Sequence, residues 1–265
     1  MKYRGEGCMK SKKTLLTIIS AALWLGIWLI AARLVNREIF FPGPGAVLSA
    51  LGSMARSKNF YSGILISLSG IAAGFLAGFT AGILLSVLVF RFPFLESFIG
   101  VPIKIIKAVP VASFVILALL WLDSSKLSIL ISAMMVMPVI YSNTLSGFRS
   151  TDEKMLEFAK VFRLSAGKRI RYIYIPSIMN PLISASSVAI GFAWKSGIAA
   201  EIIGLIKGSI GNELYKSKLY LETPGLFAWT ITIVLVSVLC EKIIVLLLSL
   251  VGKALGGVTD VRHKN

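Results

Sequence analysis

The sequence predicts an all-α fold, a polytopic membrane bundle of about six transmembrane helices. Two observations carry that reading. Hydrophobic residues fill 56% of the 265 positions and the mean hydropathy is +0.84, above the roughly 45–50% apolar content of a soluble domain. They gather into six stretches, 14–35, 61–90, 95–122, 127–148, 181–204 and 223–251, each near or above the roughly 20 residues a helix needs to cross lipid. A helix suits such a run because it pairs its own N–H and C=O groups where lipid offers no water. Together the stretches fill the chain and leave no room for a soluble catalytic domain.

The first stretch follows Lys2, Arg4, Lys10, Lys12 and Lys13, as a secretory leader would. It outruns a leader's apolar core and continues into Arg33 without a small-x-small cleavage pattern, so it reads as a retained span. Residues 1–13 then form an N-terminal tail, 14–252 the membrane domain and 253–265 a C-terminal tail. After the first span, Phe40-Phe-Pro-Gly-Pro-Gly-Ala46 breaks the helix, and 47–54 resumes a short helical pattern of interfacial character.

The second stretch carries Gly70, Gly74, Gly78 and Gly82, with Ala73, Ala77 and Ala81 preceding the last three. Small residues at this spacing make a smooth stripe against which another helix can lie closely, placing this span at the crowded centre of the bundle. The sequence leaves open whether that neighbour is simply packed or is a moving pore helix. In the third stretch Pro93, Pro102 and Pro110, with Lys104 and Lys107 among them, predict that 94–108 is a broken or re-entrant segment ahead of 109–122. Pro138 predicts a bend in the fourth.

Trp194, Lys195 and Glu201 are the polar anomalies of the fifth stretch. Ionisable groups in a span commonly face a cavity or one another. The reading places Lys195 and Glu201 on a similar face, too far apart to touch, as candidates for a translocation path or gate, or for a structural helix contact; Glu201 could instead lie at the outer interface. In the sixth stretch the adjacent Glu241 and Lys242 point to different sides and reach the inner interface or a partner helix.

The net charge is +16. Six alternating spans divide the loop Lys and Arg residues into 16 on the side of the termini and eight on the other, which predicts cytoplasmic termini. This basic excess suits topology and membrane lipid, and no nucleic-acid role is expected. Catalysis finds no support either. His263 is the only histidine, no Gly-x-Ser-x-Gly elbow or phosphate-binding Gly-x-x-x-x-Gly-Lys-Ser/Thr loop occurs, no metal cluster is evident, and Cys8 and Cys240 make neither a disulfide framework nor a thiolate metal site. If ATP drives this protein, another subunit binds it.

One segment stands apart. Ten of the 23 residues at 149–171 are charged, so this island lies outside lipid. Ser150 and Glu153 match a capping box, and Met155, Phe158, Val161 and Phe162 then follow on one helix side with Lys154, Glu157 and Lys160 on the other. Gly167 is placed to supply the left-handed residue of a terminal turn, and the basic segment Lys168, Arg169 and Arg171 runs to a stop at Pro176. Such an elbow either rests on the inner leaflet or is offered to a soluble partner.

The elbow resembles the cytoplasmic signature loop of the binding-protein-dependent permeases of ATP-binding cassette importers. Glu157, Ala159, Ile173 and Pro176 fall at the spacing of that family's Glu-Ala-Ala loop. Phe158 replaces its second residue and Arg163 stands at its usual glycine, so the bend falls at Arg163 or at Ser165 to Gly167. Over nearly the whole chain the likeness is to the nitrate/sulfonate/taurine-type permeases, through Phe40-Phe-Pro-Gly-Pro-Gly-Ala-Val-Leu48, Lys107-Ala-Val-Pro110 with Trp121, and Ala193-Trp-Lys-Ser-Gly-Ile-Ala-Ala-Glu-Ile-Ile-Gly204.

The resemblance implies a MetI-like type I importer permease fold in a bacterial cytoplasmic membrane. It implies an ATP-binding cassette ATPase subunit docked on a coupling loop at 149–176 through Glu157, Phe158, Ala159, Phe162, Arg163 and Gly167. A second permease copy completes a homodimer, an extracytoplasmic solute-binding protein delivers a small solute, and ATP is the partner's cofactor, none being bound by this chain. The competing expectations are an ion-coupled secondary transporter, which should show internal repeats and midplane carboxylates, and a lipid-modifying membrane enzyme, which needs a reactive cluster.

Overall fold

A computed structural model describes the backbone of residues 4–255 and the side chains of residues 15–255. His263 and the side chain of Cys8 lie outside those residues, as do the ends of both tails. All regular structure among the described residues is helical. Five helices are long and apolar enough to span a membrane: α1 (Arg4–Val35) through Leu15–Val35, α3 (Lys58–Arg91), α6 (Leu127–Arg149, led by a 3₁₀ turn), α9 (Ile175–Gly204, within a helical run from Ala166) and α11 (Thr223–Ala254).

The third predicted stretch is a broken span. It consists of α4 (Leu95–Ala108) and α5 (Val111–Ala118), bent by 103° at Val109 and Pro110. Pro102 sits inside α4 and breaks nothing. Pro110 does, because the residue before a proline is driven out of the helical region, and Val109 is extended at ψ 134°. Elsewhere α2 (Pro44–Met54) carries its proline in the first turn, where the missing N–H costs nothing, and α6 continues through Pro138.

The chain forms two compact units. One comprises residues up to Tyr61 together with Glu213–Ile231. In it α1 ends at Asn36, which takes a left-handed φ of 45°, and Trp28 donates its indole N–H to the Pro42 carbonyl at 3.0 Å. Phe227 stacks on Trp28 and meets Phe41 edge-on, while Thr223 donates to the Ile39 carbonyl. These contacts fix the Pro-Gly segment against the start of α11. Outward-facing Leu16, Ile19, Leu23, Trp24 and Ile30 on α1 are each more than half exposed, as suits a lipid solvent.

The second unit comprises Ser62–Asn212 and the residues from Thr232. Its centre is the crossing of α3, α6 and α9. The glycine stripe of α3 faces α6: a Cβ built on Gly74, Gly78 or Gly82 would lie 2.5, 2.5 or 2.8 Å from the carbonyl oxygens of Ile129, Ala133 and Met137. One on Gly70 would lie 2.5 Å from the Ser128 hydroxyl. Gly197 of α9 closes the third side, where a Cβ would meet Ile71 at 2.6 Å and Ser132 at 2.7 Å. Ser132 donates to the Ala193 carbonyl at 3.1 Å, tying α6 to α9. Val115, Ala118, Leu127, Ile131, Ala200 and Ile206 pack a core at one side of this crossing, and Val89, Ile103, Tyr141 and Leu145 pack another.

Gly78→Leu should therefore lower the thermal midpoint in detergent by about 5 °C or more, since overpacking a close contact costs roughly 1–3 kcal/mol. Gly52→Ala, where a Cβ meets nothing within 4 Å, should leave it unchanged. An undisturbed midpoint in Gly78→Leu would show that the stripe does not set the α3–α6 distance.

Candidate functional site

The charged elbow begins where α6 ends. Ser150 turns back on that helix, its hydroxyl donating to the Gly147 carbonyl at 3.1 Å. The cap of α7 (Glu153–Val161) is instead Asp152, whose Oδ1 accepts from the Lys154 amide at 2.9 Å. The expected Ser150–Glu153 capping box is thus replaced by an Asp cap two residues later, because Ser150 is already committed to closing α6.

The far end of α7 is a Schellman turn. The Leu164 amide donates to the Ala159 carbonyl at 2.9 Å and the Arg163 amide to the Lys160 carbonyl at 3.1 Å. Between these bonds Arg163 adopts φ +48°, the left-handed state that such a turn demands and that usually falls to glycine. The bend is therefore at Arg163. Gly167 does not supply it: it lies inside the short helix α8 (Ala166–Arg169), capped by Ser165, with open space around it. Two hydrogen bonds hold a conformation that costs a non-glycine residue about 1–2 kcal/mol.

Pro176 does not stop the basic segment. From Ala166 the helix runs through a π turn at Ile170–Tyr174 directly into α9, with Pro176 in the first turn and Pro181 inside. A π turn has already opened the hydrogen-bond ladder there, so the missing N–H of Pro176 falls where a donor is dispensable.

The elbow's base is fixed by Phe90, Phe148 and Tyr174, whose rings meet at 4.9 to 6.1 Å. Beside them Arg149 makes a two-pronged ion pair with Glu96, at 2.9 and 2.5 Å. Ala159 is 1% exposed and Ile173 is buried. The opposite face is open: the Phe158 and Phe162 rings touch at a tilt of 34° with centroids 4.2 Å apart yet are 53% and 62% exposed. Met155 and Val161 beside them are also exposed, as are Glu157, Arg163 and Gly167. The neighbouring spans do not bury these phenylalanines. An apolar face ringed by Lys154, Lys160 and Arg163 is what α7 presents.

The three polar residues of α9 do not converge. Six residues rotate a helix by about 600°, which leaves Lys195 and Glu201 roughly 120° apart, not on a similar face. Lys195 is exposed, whereas Trp194 and Glu201 are each 1% exposed. Trp194 lines an apolar cavity of about 280 Å³ with Phe75, Cys240 and Leu247. Glu201 is buried within the protein. It accepts from the Ser67 hydroxyl at 2.7 Å and from the Gly211 amide at 3.0 Å, while Ser67 accepts from the Ile210 amide at 2.9 Å. The carboxylate thereby ties α3 and α9 to the first amides of α10 (Ile210–Leu219), where the helix dipole favours negative charge. In α11, Glu241 reaches a neighbouring helix, accepting from Ser187 of α9, and Lys242 is exposed.

Sequence reasoning missed Asp152, the Glu96–Arg149 pair and the Ser67–Glu201–Gly211 tie. The Asp-x-Lys step at 152–154 was available as a cap signal. The other two join residues 53 and 134 positions apart, which no local pattern reveals.

Comparison with known proteins agrees with this architecture. The profile of the family described as "Binding-protein-dependent transport system inner membrane component" matches residues 70–260. A protein named as an aliphatic sulfonates transport permease, SsuC of Bacillus subtilis, is 24% identical over 87% of this chain and 84% of its own length. The nitrate import permease protein NrtB of Synechococcus elongatus is 26% identical over 73% of each chain. The bicarbonate transport system permease protein CmpB of a Synechocystis species is 29% identical over 58% of this chain and 55% of its own.

Two outcomes follow from the geometry. Arg163→Gly should keep or increase hydrogen-exchange protection of the Leu164 amide, whereas Arg163→Val, β-branched at a left-handed position, should reduce it about tenfold; equal protection would remove the strained turn. Glu201→Leu strands the Gly211 amide and the Ser67 hydroxyl and should cost about 1–3 kcal/mol, read as a fall in thermal midpoint larger than that of Glu201→Gln.

Proposed function

Because the chain belongs to the family of binding-protein-dependent transport system inner membrane components, it is a multi-pass membrane permease subunit, and we propose how it is powered and what it carries. ATP is bound and hydrolysed by a separate cassette ATPase subunit, and this chain holds no cofactor of its own. That subunit docks on the elbow, with Phe158 and Phe162 filling an apolar cleft, Glu157 making a charged contact and Arg163 setting the angle between α7 and α8. The open face of α7 carries this reading: two phenylalanines in contact and each over half exposed, on a segment too charged for lipid, are the composition of a protein–protein anchor.

Two copies pair, an extracytoplasmic binding protein delivers solute, and both termini and the elbow lie in the cytoplasm, as the charge asymmetry supports. Lipid meets the outward faces. ATP closes the ATPase pair, the elbows approach, and rigid-body rotation of the two bundles exchanges inward for outward access. The close packing of the glycine stripe on α3 and the buried positions of Trp194 and Glu201 support assigning them to the body that turns, with the exposed Lys195 at its surface. The cargo is a small oxyanion, the chemistry common to the sulfonate, nitrate and bicarbonate in the names of the relatives.

In the reconstituted transporter, Glu157→Arg or Ala159→Arg should leave ATP hydrolysis in place while uptake falls by about tenfold or more. Phe158→Ala should weaken co-purification of the ATPase subunit by about ten- to a hundredfold, the equivalent of about 1.5–3 kcal/mol for one buried aromatic. Normal uptake by both arginine variants at normal expression would refute the docking site.

A further inference from the structure

The broken span and α6 line an open cavity of about 660 Å³ on the elbow's side of the bundle, within the size range of small-molecule sites. Its charge is unbalanced. Lys104 and Lys107 of α4 and Arg149 of α6 line it with a single carboxylate, Glu96. That carboxylate is taken by Arg149 through both oxygens, and among the described residues neither lysine forms an ion pair. Three cations against one anion leave the cavity with a net charge of +2.

Lys107 is held in place. Its Nζ donates to the Ser142 hydroxyl at 3.0 Å, and that hydroxyl spends its own proton on the Pro138 carbonyl at 2.8 Å. One ammonium proton is thus used and two remain for another acceptor. Ser142 lies seven residues before Arg149, about 10 Å along α6, and Lys107 is exposed where it lines the cavity. A charge within a broken span is costly unless it faces a wet cavity. Lys107 also borders a second, mainly apolar cavity of about 390 Å³, lined by Met135, Val139 and Phe192 beside the Pro110 break. It is the one cation shared by the two.

The geometry points to an oxyanion subsite in the α4–α6 cavity, with Lys104 and Lys107 supplying the charge and Lys107 the hydrogen bonds. Its occupant is a sulfonate-, nitrate- or phosphate-like group, which Ser97 and Ser146 on the cavity wall can also meet as donors. This inference rests on the reading of the chain as an oxyanion permease and gives that reading a place on the path. A phosphate of an anionic lipid headgroup offers the same chemistry from another source.

The test uses the full-length chain with Cys8→Ser, Cys240→Ser and Lys104→Cys in phosphatidylcholine nanodiscs. It compares labelling by a sulfonate-bearing thiol reagent with that by its trimethylammonium counterpart. The sulfonate reagent should react about tenfold faster, because charge selection by a nearby cation survives partial screening in a cavity. Adding Lys107→Gln should erase that preference and Lys107→Arg should retain it, with size-exclusion profiles showing both folded. Slowing of the sulfonate reaction by added nitrate supports free solute as the occupant; slowing by phosphatidylglycerol but not nitrate supports the same site filled by a headgroup. Equal rates for the two reagents, or a preference indifferent to Lys107→Gln, would overturn the subsite. The ratio is read on the permease alone, so its loss leaves docking at Glu157 and Phe158 standing, and failure of docking leaves the ratio standing.

Discussion

The close approach of α3 to α6 is the contact on which the second unit is built. Hydrophobic burial drives little association between helices already solvated by lipid, so dispersion and polar ties at short range must supply it. Glycines at a four-residue step let one backbone lie against the other helix, three of them against its carbonyls and Gly70 against the Ser128 hydroxyl. With α6 so positioned, Ser132 reaches α9, Gly197 admits Ile71, and Ser67 falls where Glu201 can receive its proton. Larger side chains in the stripe would push α6 away and undo each of these. The Glu201 tie shows the same economy: one buried carboxylate on α9 accepts both from Ser67 of α3 and from the Gly211 amide of α10.

Much of the fold was legible because lipid imposes a length. An apolar run of about 20 residues has few alternatives to a helix, and every predicted span has a helical counterpart, the third one broken as the proline cluster required. Local chemistry read less well wherever two residues competed for one role. Ser150 and Asp152 both suit a cap, and only the closure of α6 decides between them. Gly167 and Arg163 both lie near the turn, and intrinsic preference favours the glycine. The backbone hydrogen bonds from Leu164 and Arg163 back into α7 put the turn at the arginine, a local closure overriding a propensity. Lys195 and Glu201 were misjudged by phase alone, and Pro176 because a π turn leaves no trace in composition.

The elbow and the α4–α6 cavity share a wall. Arg149 ends α6, pairs with Glu96 and stands next to Ser150, where the elbow begins. The pair does two things at once. It pins the start of α4 to the end of α6, and it consumes the carboxylate that would otherwise neutralise a lysine. A displacement of the elbow is therefore felt first at the groups that set the charge of the cavity.

The π turn at Ile170–Tyr174 has an evolutionary consequence. One extra residue in a helix shifts everything beyond it by about 100° of rotation, so this turn acts as a phase adjuster between α8 and α9. A single-codon deletion or insertion here would re-aim the elbow while leaving the buried face of the span in register. The direction of the elbow and the packing of the span can change independently in a chain that carries such a joint.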